Sequence, residues 1–406
     1  DEGLLIPPCK LVEAGTLNAL LMDIVRANSR EPIANEGDIY ALIACCEAGV
    51  TRLVGMMEEF QINDLEALGS YIIETSHRGT LEAIAEVPNG SYKNVLKMDG
   101  YETELELHAT LTVSDTGVHV DFAGTSGCSS KGINVPLNYA TAYTVFGLRC
   151  LIGPDIPNNA GSLAPFTVDG PKGCILNAQR PVPVAMRHTL GQVTPDLVLG
   201  CLHQALPDQV PAEGASCMFD LPMRHAPEVA RDGGREFAIE PVHNGGTGAR
   251  PHADGLSATA FPSGVFGSQV EITEAVAPVV MWRRELRSDS GGAGQYRGGL
   301  GQRIEMTSSN SAPFIVFLSV ERLKFPALGR MGGEPGAPGR IRFRDGAQDI
   351  PGKGELRVEP GDYLIFETPG GGGFGDPRMR DADALALDLK RGLVTDEGSK
   401  AYGGAK

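Results

Sequence analysis

The sequence predicts an α+β fold, with a helical N-terminal region, a mixed α/β middle and a Gly-rich β region toward the C-terminus. Three observations predict it. Apolar residues recur at helix spacing through the first 86 positions. The period switches to two between 105 and 122. From about 236 onward, short apolar runs alternate with glycine-rich strings. We divide the chain accordingly into 1–100, 101–235, 236–380 and a last helix with tail at 381–406.

In the first region Leu17, Leu20, Leu21 and Ile24 follow helix spacing. A longer stripe runs Ile39, Leu42, Ile43, Cys46, Val50, Leu53, Val54, Met57, which predicts a helix with one face turned to a core. Asn63, with Glu66 three residues on, marks a third helix near 64–86, and Pro88-Asn89-Gly90 ends it. Leu105, Leu107, Ala109, Leu111 and Val113 then alternate with polar residues. Asp115-Thr116-Gly117 turns the chain, and Val118, Val120 and Phe122 alternate again, giving a hairpin with one buried face. His108 and His119 lie on its polar face.

A helix follows over 138–152. Another starts at Thr194-Pro195-Asp196, with Thr194 as cap, and faces Val198, Cys201, Leu202 and Ala205 inward. Segments 268–274, 302–308, 313–320, 340–344 and 362–367 read as strands. A helix covers 381–392, and 395–406 reads as a frayed tail.

Composition narrows the function. The 406 residues carry a net charge of −16, which argues against nucleic acid or an anionic membrane surface as the main partner. No apolar run approaches the roughly 20 residues that span a bilayer. No signal peptide is visible, and the first residue is Asp1 rather than Met, so the chain reads as processed, truncated or part of a longer one. Eight cysteines include no Cys-x-x-Cys pair. Cys45, Cys46 and Cys201 sit in apolar helical patterns as small hydrophobes, and reduced thiols in a cytoplasmic protein are the expected state.

The glycine strings at 291–294, 298–301, 332–333 and 370–373 lack the Gly-Lys-Ser/Thr ending of a phosphate loop. We read them as turn chemistry and place no ATP site here. The most site-like stretch is 243–255. There His243, Asn244, Arg250, His252 and Asp254 stand among Gly245, Gly246 and Gly248, so polar groups meet backbone that a ligand can approach closely. A metal reading of that loop uses His243, His252 and Asp254, without the spacing of a known zinc motif. A second cluster, Arg187-His188-Thr189, offers a guanidinium fork and an imidazole able to move protons near neutral pH. Asn134 and Asn138 bracket the start of a helix, as caps or as amide contacts to a substrate. Ser290 lacks nucleophile-elbow spacing.

Several longer strings occur in order along nearly the whole chain. They begin with Ile6-Pro7-Pro8 and Lys10-Leu11, then Asp121-Phe122-Ala123-Gly124-Thr125-Ser126, Asn134-Val135-Pro136-Leu137, and Leu148-Arg149-Cys150. Asp155-Ile156-Pro157-Asn158-Asn159-Ala160-Gly161 and Gly245-Gly246-Thr247-Gly248-Ala249-Arg250 follow. Arg287 to Gly294, Tyr296 to Gly301, Glu321-Arg322 and Thr368 to Pro377 complete the series. Together they resemble the hydantoinase B/oxoprolinase family.

The resemblance implies a hetero-oligomeric, ATP-dependent enzyme that opens cyclic amides such as hydantoins, 5-oxoproline or lactams. ATP is bound by a hydantoinase A-type partner with an actin-like ATPase fold, which phosphorylates the substrate carbonyl oxygen. The B-type subunit directs hydrolysis of the activated intermediate. A divalent metal (Zn, Mn or Mg) is expected in the complex. Its Asp- and His-rich motifs belong to an N-terminal portion that precedes Asp1 in the family pattern, so no residue here is carried over as a ligand, and a separate N-terminal B-type fragment is a candidate second partner. Within this chain the substrate-binding candidates are Asn134, Asn138, Arg187, Asn244, Gly245, Gly246 and Arg250, with His188 and His243 as acid–base candidates. A ketone carboxylase subunit and a non-catalytic assembly subunit are the alternatives.

Overall fold

The computed structural model describes residues 5–29, 31–216, 218–234, 236–309, 311–346 and 348–403. Cys217 and the last three residues of the tail lie outside them. The chain divides into two compact units, Asp1–Thr75 and Ser76–Lys406.

The first unit holds a short ribbon, β1 (Val12–Glu13) with β2 (Thr16–Leu17), then helices α1 (Ala19–Asn28) and α2 (Pro32–Glu59) and the start of α3 (Leu65–Ala85). Asn18 caps α1 by accepting from Leu21 N–H, and Pro32 opens α2, where its missing N–H costs nothing. The two helices pack together and are tied by Arg26, which bonds both Asp23 and Glu36. Among the described residues of this unit only Met22 is buried. None of the 28 residues of α2 is buried. The predicted stripe is therefore real as a pattern but turns to no core, and Cys45 and Cys46 are exposed. The same helix is long and apolar enough to cross a bilayer by length and composition. That corrects the expectation that no apolar run approaches this length.

The second unit is built on three four-stranded sheets. The first orders β3 (Gly90–Met98), β4 (Leu105–Ser114), β5 (Gly117–Asp121) and β6 (Phe166–Asp169), antiparallel except for the β5–β6 pair. The predicted hairpin is β4–β5; β3 was not foreseen. Every second residue of β4 from Leu105 to Val113 is buried, as period two requires. Helices α4 (Leu137–Arg149), α5 (Ala160–Leu163), α6 (His188–Gly191) and α7 (Thr194–Leu202) follow. Leu107, Leu111 and Val120 share one core with Leu148, Leu197 and Cys201. Thr194 does not cap α7: it lies within the helix, and its hydroxyl donates to Gly191 O.

Next come β7 (Met218–Asp220), β8 (Met223–His225), α8 (Pro227–Arg231), β9 (Ala238–Ile239), β10 (Val242–Asn244) and α9 (Val270–Val276). The predicted strand at 268–274 is thus helix α9, and the strand follows it. β11 (Val279–Leu286), β12 (Gln302–Ser308), β13 (Phe314–Ser319), β14 (Arg340–Phe343), β15 (Lys353–Val358) and β16 (Leu364–Glu367) lead to α10 (Ala382–Lys390). The sheets run β11-β12-β16-β14 and β15-β13-β8-β9, while β7 pairs with β10 alone. Phe219, Ile304, Phe314, Val316, Ile341 and Phe366 form a second core. From 395 to 403 the predicted tail is not frayed: Thr395 bonds the Asp289 carboxylate through its N–H and its hydroxyl, at 2.8 and 2.6 Å, and Gly398–Tyr402 forms a short 3-10 helix.

The glycine strings overturn the turn reading. Among 291–294, 298–301, 332–333 and 370–373 only Gly332 has a left-handed φ, of 94°. The others are extended segments laid side by side. Gly371 N–H donates to Gly299 O (3.0 Å), Gly299 N–H to Thr247 O (2.8 Å), Gly292 N–H to Gly371 O (2.8 Å) and Gly372 N–H to Glu213 O (2.8 Å). A Cβ at Gly246, Gly298, Gly299, Gly370, Gly371, Gly372 or Gly373 would meet a neighbouring carbonyl closer than 3.0 Å. Backbone packs on backbone here, as glycine alone permits at a crowded axis.

Candidate functional site

This bundle fixes the 243–255 loop. Gly245 and Gly246 cannot carry a side chain, because a Cβ would strike Ala215 and Pro369, or Gly299. Beyond them the chain borders a cavity of about 280 Å³. Its walls are mostly apolar, from Leu151, Leu199, Pro211, Leu256 and Phe261, with Arg250 and His252 of the loop and Asp196 of α7 also bordering it. A neighbouring void of about 10 Å³, room for one water, is bordered by Asn244, Gly245, Gly246 and Thr259. The two share Gly214, Thr247 and Phe261. The fold therefore gathers Asn244, Gly245, Gly246 and Arg250 around adjoining spaces.

Asp196 was not singled out from the sequence. Its side chain is 2% exposed, and Arg322, also 2% exposed, reaches it at 3.4 Å and Glu213 at 3.2 Å. Ser216 Oγ and Gly214 N–H also donate to Asp196 Oδ2. Burial, reinforced by the like charge of Glu213, outweighs Arg322 and pushes the Asp196 carboxyl up to about 6. The only sequence signal for it was a carboxylate in the first turn of a helix.

Asn244 Nδ2 donates to Val265 O at 3.2 Å, while its buried Oδ1 has no partner. Arg250 is exposed and donates to Asp254 O at 2.8 Å. The Asp254 carboxylate is clamped by Arg380, with Nη1 and Nη2 at 2.9 and 2.8 Å, and accepts from Arg297 N–H. Arg380 and Arg297 both also bond Asp388 of α10, at 2.6 and 3.2 Å. Although burial raises the Asp254 carboxyl, these arginines bring it below the usual range. With Asp254 so engaged, the metal reading of His243, His252 and Asp254 fails. Among the described residues no three His, Cys, Asp or Glu side chains converge as a metal site. The divalent metal implied by the resemblance thus has no ligand set here, and no step below runs through it.

The second sequence cluster lies elsewhere. Arg187 is exposed, stacks over the Tyr139 ring at 5.5 Å and donates to Val184 O. His188 opens α6, and its Nε2 sits 3.2 Å from Asp220 Oδ2 of β7, without hydrogen-bond alignment. Glu240 hydrogen-bonds Asp220; burial and the Asp220 charge raise its carboxyl, against the pull of His188. In the β7–β10 ribbon Val242 faces Asp220 and His243 faces Phe219. Neighbouring strand residues point to opposite faces, so His188 and His243 are not brought together.

His243 is 0% exposed, with neither ring nitrogen hydrogen-bonded. Burial, then the Arg284 charge, lowers it to about 3. A base depressed from 6.5 contributes stability that is present above about 6.5 and lost as pH falls toward 3. We expect His243→Leu to be at least as stable at pH 7 and to lose less stability between pH 6.5 and 4.5. Urea midpoints at those pH values decide, and a steeper acid limb in the variant would contradict it.

Asn134 is wholly engaged. Its Oδ1 accepts from Ser129 N–H (2.7 Å), and its Nδ2 donates to Ser129, Lys131 and Pro183 carbonyls. Asn138 is exposed and accepts from Tyr139 N–H. Neither side chain caps α4. A larger cleft of about 460 Å³ lies between 99–104 and 320–353. Its cations are already paired, Lys324 with Glu104, Arg340 with Asp349 and Lys353 with Glu321, so the smaller apolar cavity is the better place for an uncharged ring.

Comparison with known proteins decides the lineage. The Hydantoinase B/oxoprolinase family model matches residues 1–377. The chain belongs to this family. It is 29% identical over 416 residues to the caprolactamase subunit beta of Pseudomonas jessenii, covering 98% of this chain and 71% of that one. The crystal structure of the ATP-dependent caprolactamase from that organism superposes with a TM-score of 0.85 at 27% identity, over 100% of this chain and 72% of the other. A nucleotide-free acetone carboxylase shares the fold, with a TM-score of 0.80 at 21% identity over 97% of this chain and 60% of its own.

Proposed function

We propose that the chain is a subunit of an ATP-dependent cyclic amide hydrolase. Family membership and the caprolactamase likeness support the reaction class. The observation that carries the site reading is the mostly apolar cavity of about 280 Å³ facing Arg250 and the Asp196 carboxyl. A lactam ring is uncharged and apolar on its methylenes, which suits those walls.

Ring amides resist hydrolysis because nitrogen donates into the carbonyl. Transfer of a phosphoryl group from ATP to the carbonyl oxygen, by an A-type actin-like partner, removes that resistance. Water then adds to the activated carbon, the C–N bond opens as the leaving nitrogen takes a proton and an acyl phosphate remains, and a second water attacks that carbonyl, so that phosphate departs with the oxygen that accepted it and a carboxylate is left. In this proposal Arg250 and Asn244 hold the ring or its phosphate, with Gly245 and Gly246 allowing close approach. His188, beside Asp220 but bordering neither space, stays the acid–base candidate, while His243, sealed in the core and lowered to about 3, is set aside. The working protein is a hetero-oligomer in the cytoplasm, and its divalent metal comes from outside the described residues.

Arg250→Ala in the assembled complex is expected to lower lactam turnover at least about tenfold, about 1.4 kcal/mol of lost transition-state stabilisation, with the complex mass unchanged. Unaltered turnover would sink the site assignment. ATP hydrolysis that requires bicarbonate and a ketone, in place of a lactam, would move the chain to the carboxylase reading.

A further inference from the structure

Helix α2 raises a question the proposed reaction does not touch. It is 28 residues long and none of them is buried; α1 packs against it, and only Pro32, Glu36, Ile39, Ile43, Met56 and Met57 are half-buried. A helix of about 42 Å with this much apolar surface in water carries a standing free-energy cost. Gly49 adds to it. A helix-interior glycine costs roughly 1 kcal/mol against alanine, yet a Cβ at Gly49 would meet nothing within 4 Å. Nothing in the chain's own packing requires glycine there.

Roughly a third of a turn from the α1 side, Asp38, Leu42, Cys45, Gly49, Arg52 and Met56 follow one another at spacings of four and three, the repeat of a helix–helix seam. Leu42 on this seam is 65% exposed. Among the described residues neither Asp38 nor Arg52 has an ion-pair or hydrogen-bond partner. The seam is complementary to itself. Laid antiparallel about a two-fold at Cys45, Asp38 of one copy meets Arg52 of the other, twice. Leu42 lies over Ala48 and Gly49, and Met56 over Ala34. Each large side chain faces a small one, and each charge its opposite. A parallel pairing would oppose Asp38 to Asp38 and Arg52 to Arg52.

We propose that this face of α2 is a homotypic contact, in which two copies of the chain pair antiparallel through their α2 helices. Two-fold pairing of one patch with itself is the commonest route to a dimer. The strip covered on two helices of this length is on the order of 1,000 Å², about where lasting interfaces begin. A bilayer is the poorer occupant, because it would take in both seam charges, and the chain's net charge of −16 opposes an anionic leaflet.

Sedimentation equilibrium of the full-length chain alone is expected to show twice the monomer mass. Arg52→Asp should weaken the dimer at least about tenfold, and the charge swap Asp38→Arg with Arg52→Asp should restore it. A short bismaleimide should cross-link two chains, with the band lost in Cys45→Ser and kept in Cys46→Ser. A monomer at every concentration, a dimer indifferent to Arg52→Asp, or flotation with phosphatidylcholine vesicles would each overturn the proposal.

Discussion

Gly371→Ala is expected to leave most of the protein insoluble, with any soluble fraction destabilised by more than about 4 kcal/mol. The added methyl would fall inside contact distance of Thr247 O and Gly248 N. Neither is the end of a flexible side chain. Both belong to backbone held by further hydrogen bonds, Gly299 N–H to Thr247 O and Gly371 N–H to Gly299 O. Moving one segment displaces its neighbours, so the cost cannot be relieved locally. Gly127→Ala is the control. A Cβ there meets nothing within 4 Å, its φ is not left-handed, and its effect should stay within about 0.5 kcal/mol. Soluble yield and thermal melting of the pair measure the difference, and two similar melting curves would refute the interlocked-backbone account.

The second large effect is at Arg322. Replacing it by Met removes the cation between Asp196 and Glu213, at 3.4 and 3.2 Å, in a site where all three side chains are almost fully buried. Breaking such a group from one side costs about 3–5 kcal/mol, because the two carboxylates stay buried with only the weaker pull of Arg330 and their hydrogen-bond donors. Arg322 also holds a left-handed φ of 65°, a conformation costly for a residue with a Cβ and retained here with the side chain locked between two carboxylates. The loss should depend on pH. Asp196 is raised to about 6, so the stability tied to its proton is present below about 4 and disappears as pH rises through 6. A missing cation matters most once the carboxyls are charged. Arg322→Met should therefore be least damaging near pH 5 and worst near pH 8, read from denaturant midpoints. A deficit that does not grow with pH would mean Arg322 acts by packing alone.

Periodicity made the hairpin legible, because alternation along β4 is enforced by burial on one face alone. It misread 268–274, where Val270, Ile272 and Thr273 have the β-branched composition of a strand but only Thr273 is buried. Short apolar segments do not distinguish helix from strand by pattern. The glycine strings were visible but misassigned. Glycine serves both left-handed turns and close approach, and composition alone cannot separate the two. Of the loop residues, Asn244 and Arg250 were recognisable as polar groups among glycines. Asp196 was not, since its meaning comes from Arg322 and Glu213, 126 and 17 positions away in the chain. The α2 stripe was legible as amphipathic, but burial depends on what lies opposite, which one helix does not encode.

The clamp on Asp254 ties the loop to the C-terminal helix. The family match ends at residue 377, and both Arg380 and Asp388, which set the Asp254 carboxylate through the bonds described above, come after it. The Asp254 end of the 247–256 segment is thus held by side chains that lie beyond the matched residues. Two proteins with identical glycine loops can present differently shaped entrances if their tails differ. Exchanging only the C-terminal helix and tail between relatives is then a way to alter which rings are admitted while leaving the shared loop sequence unchanged.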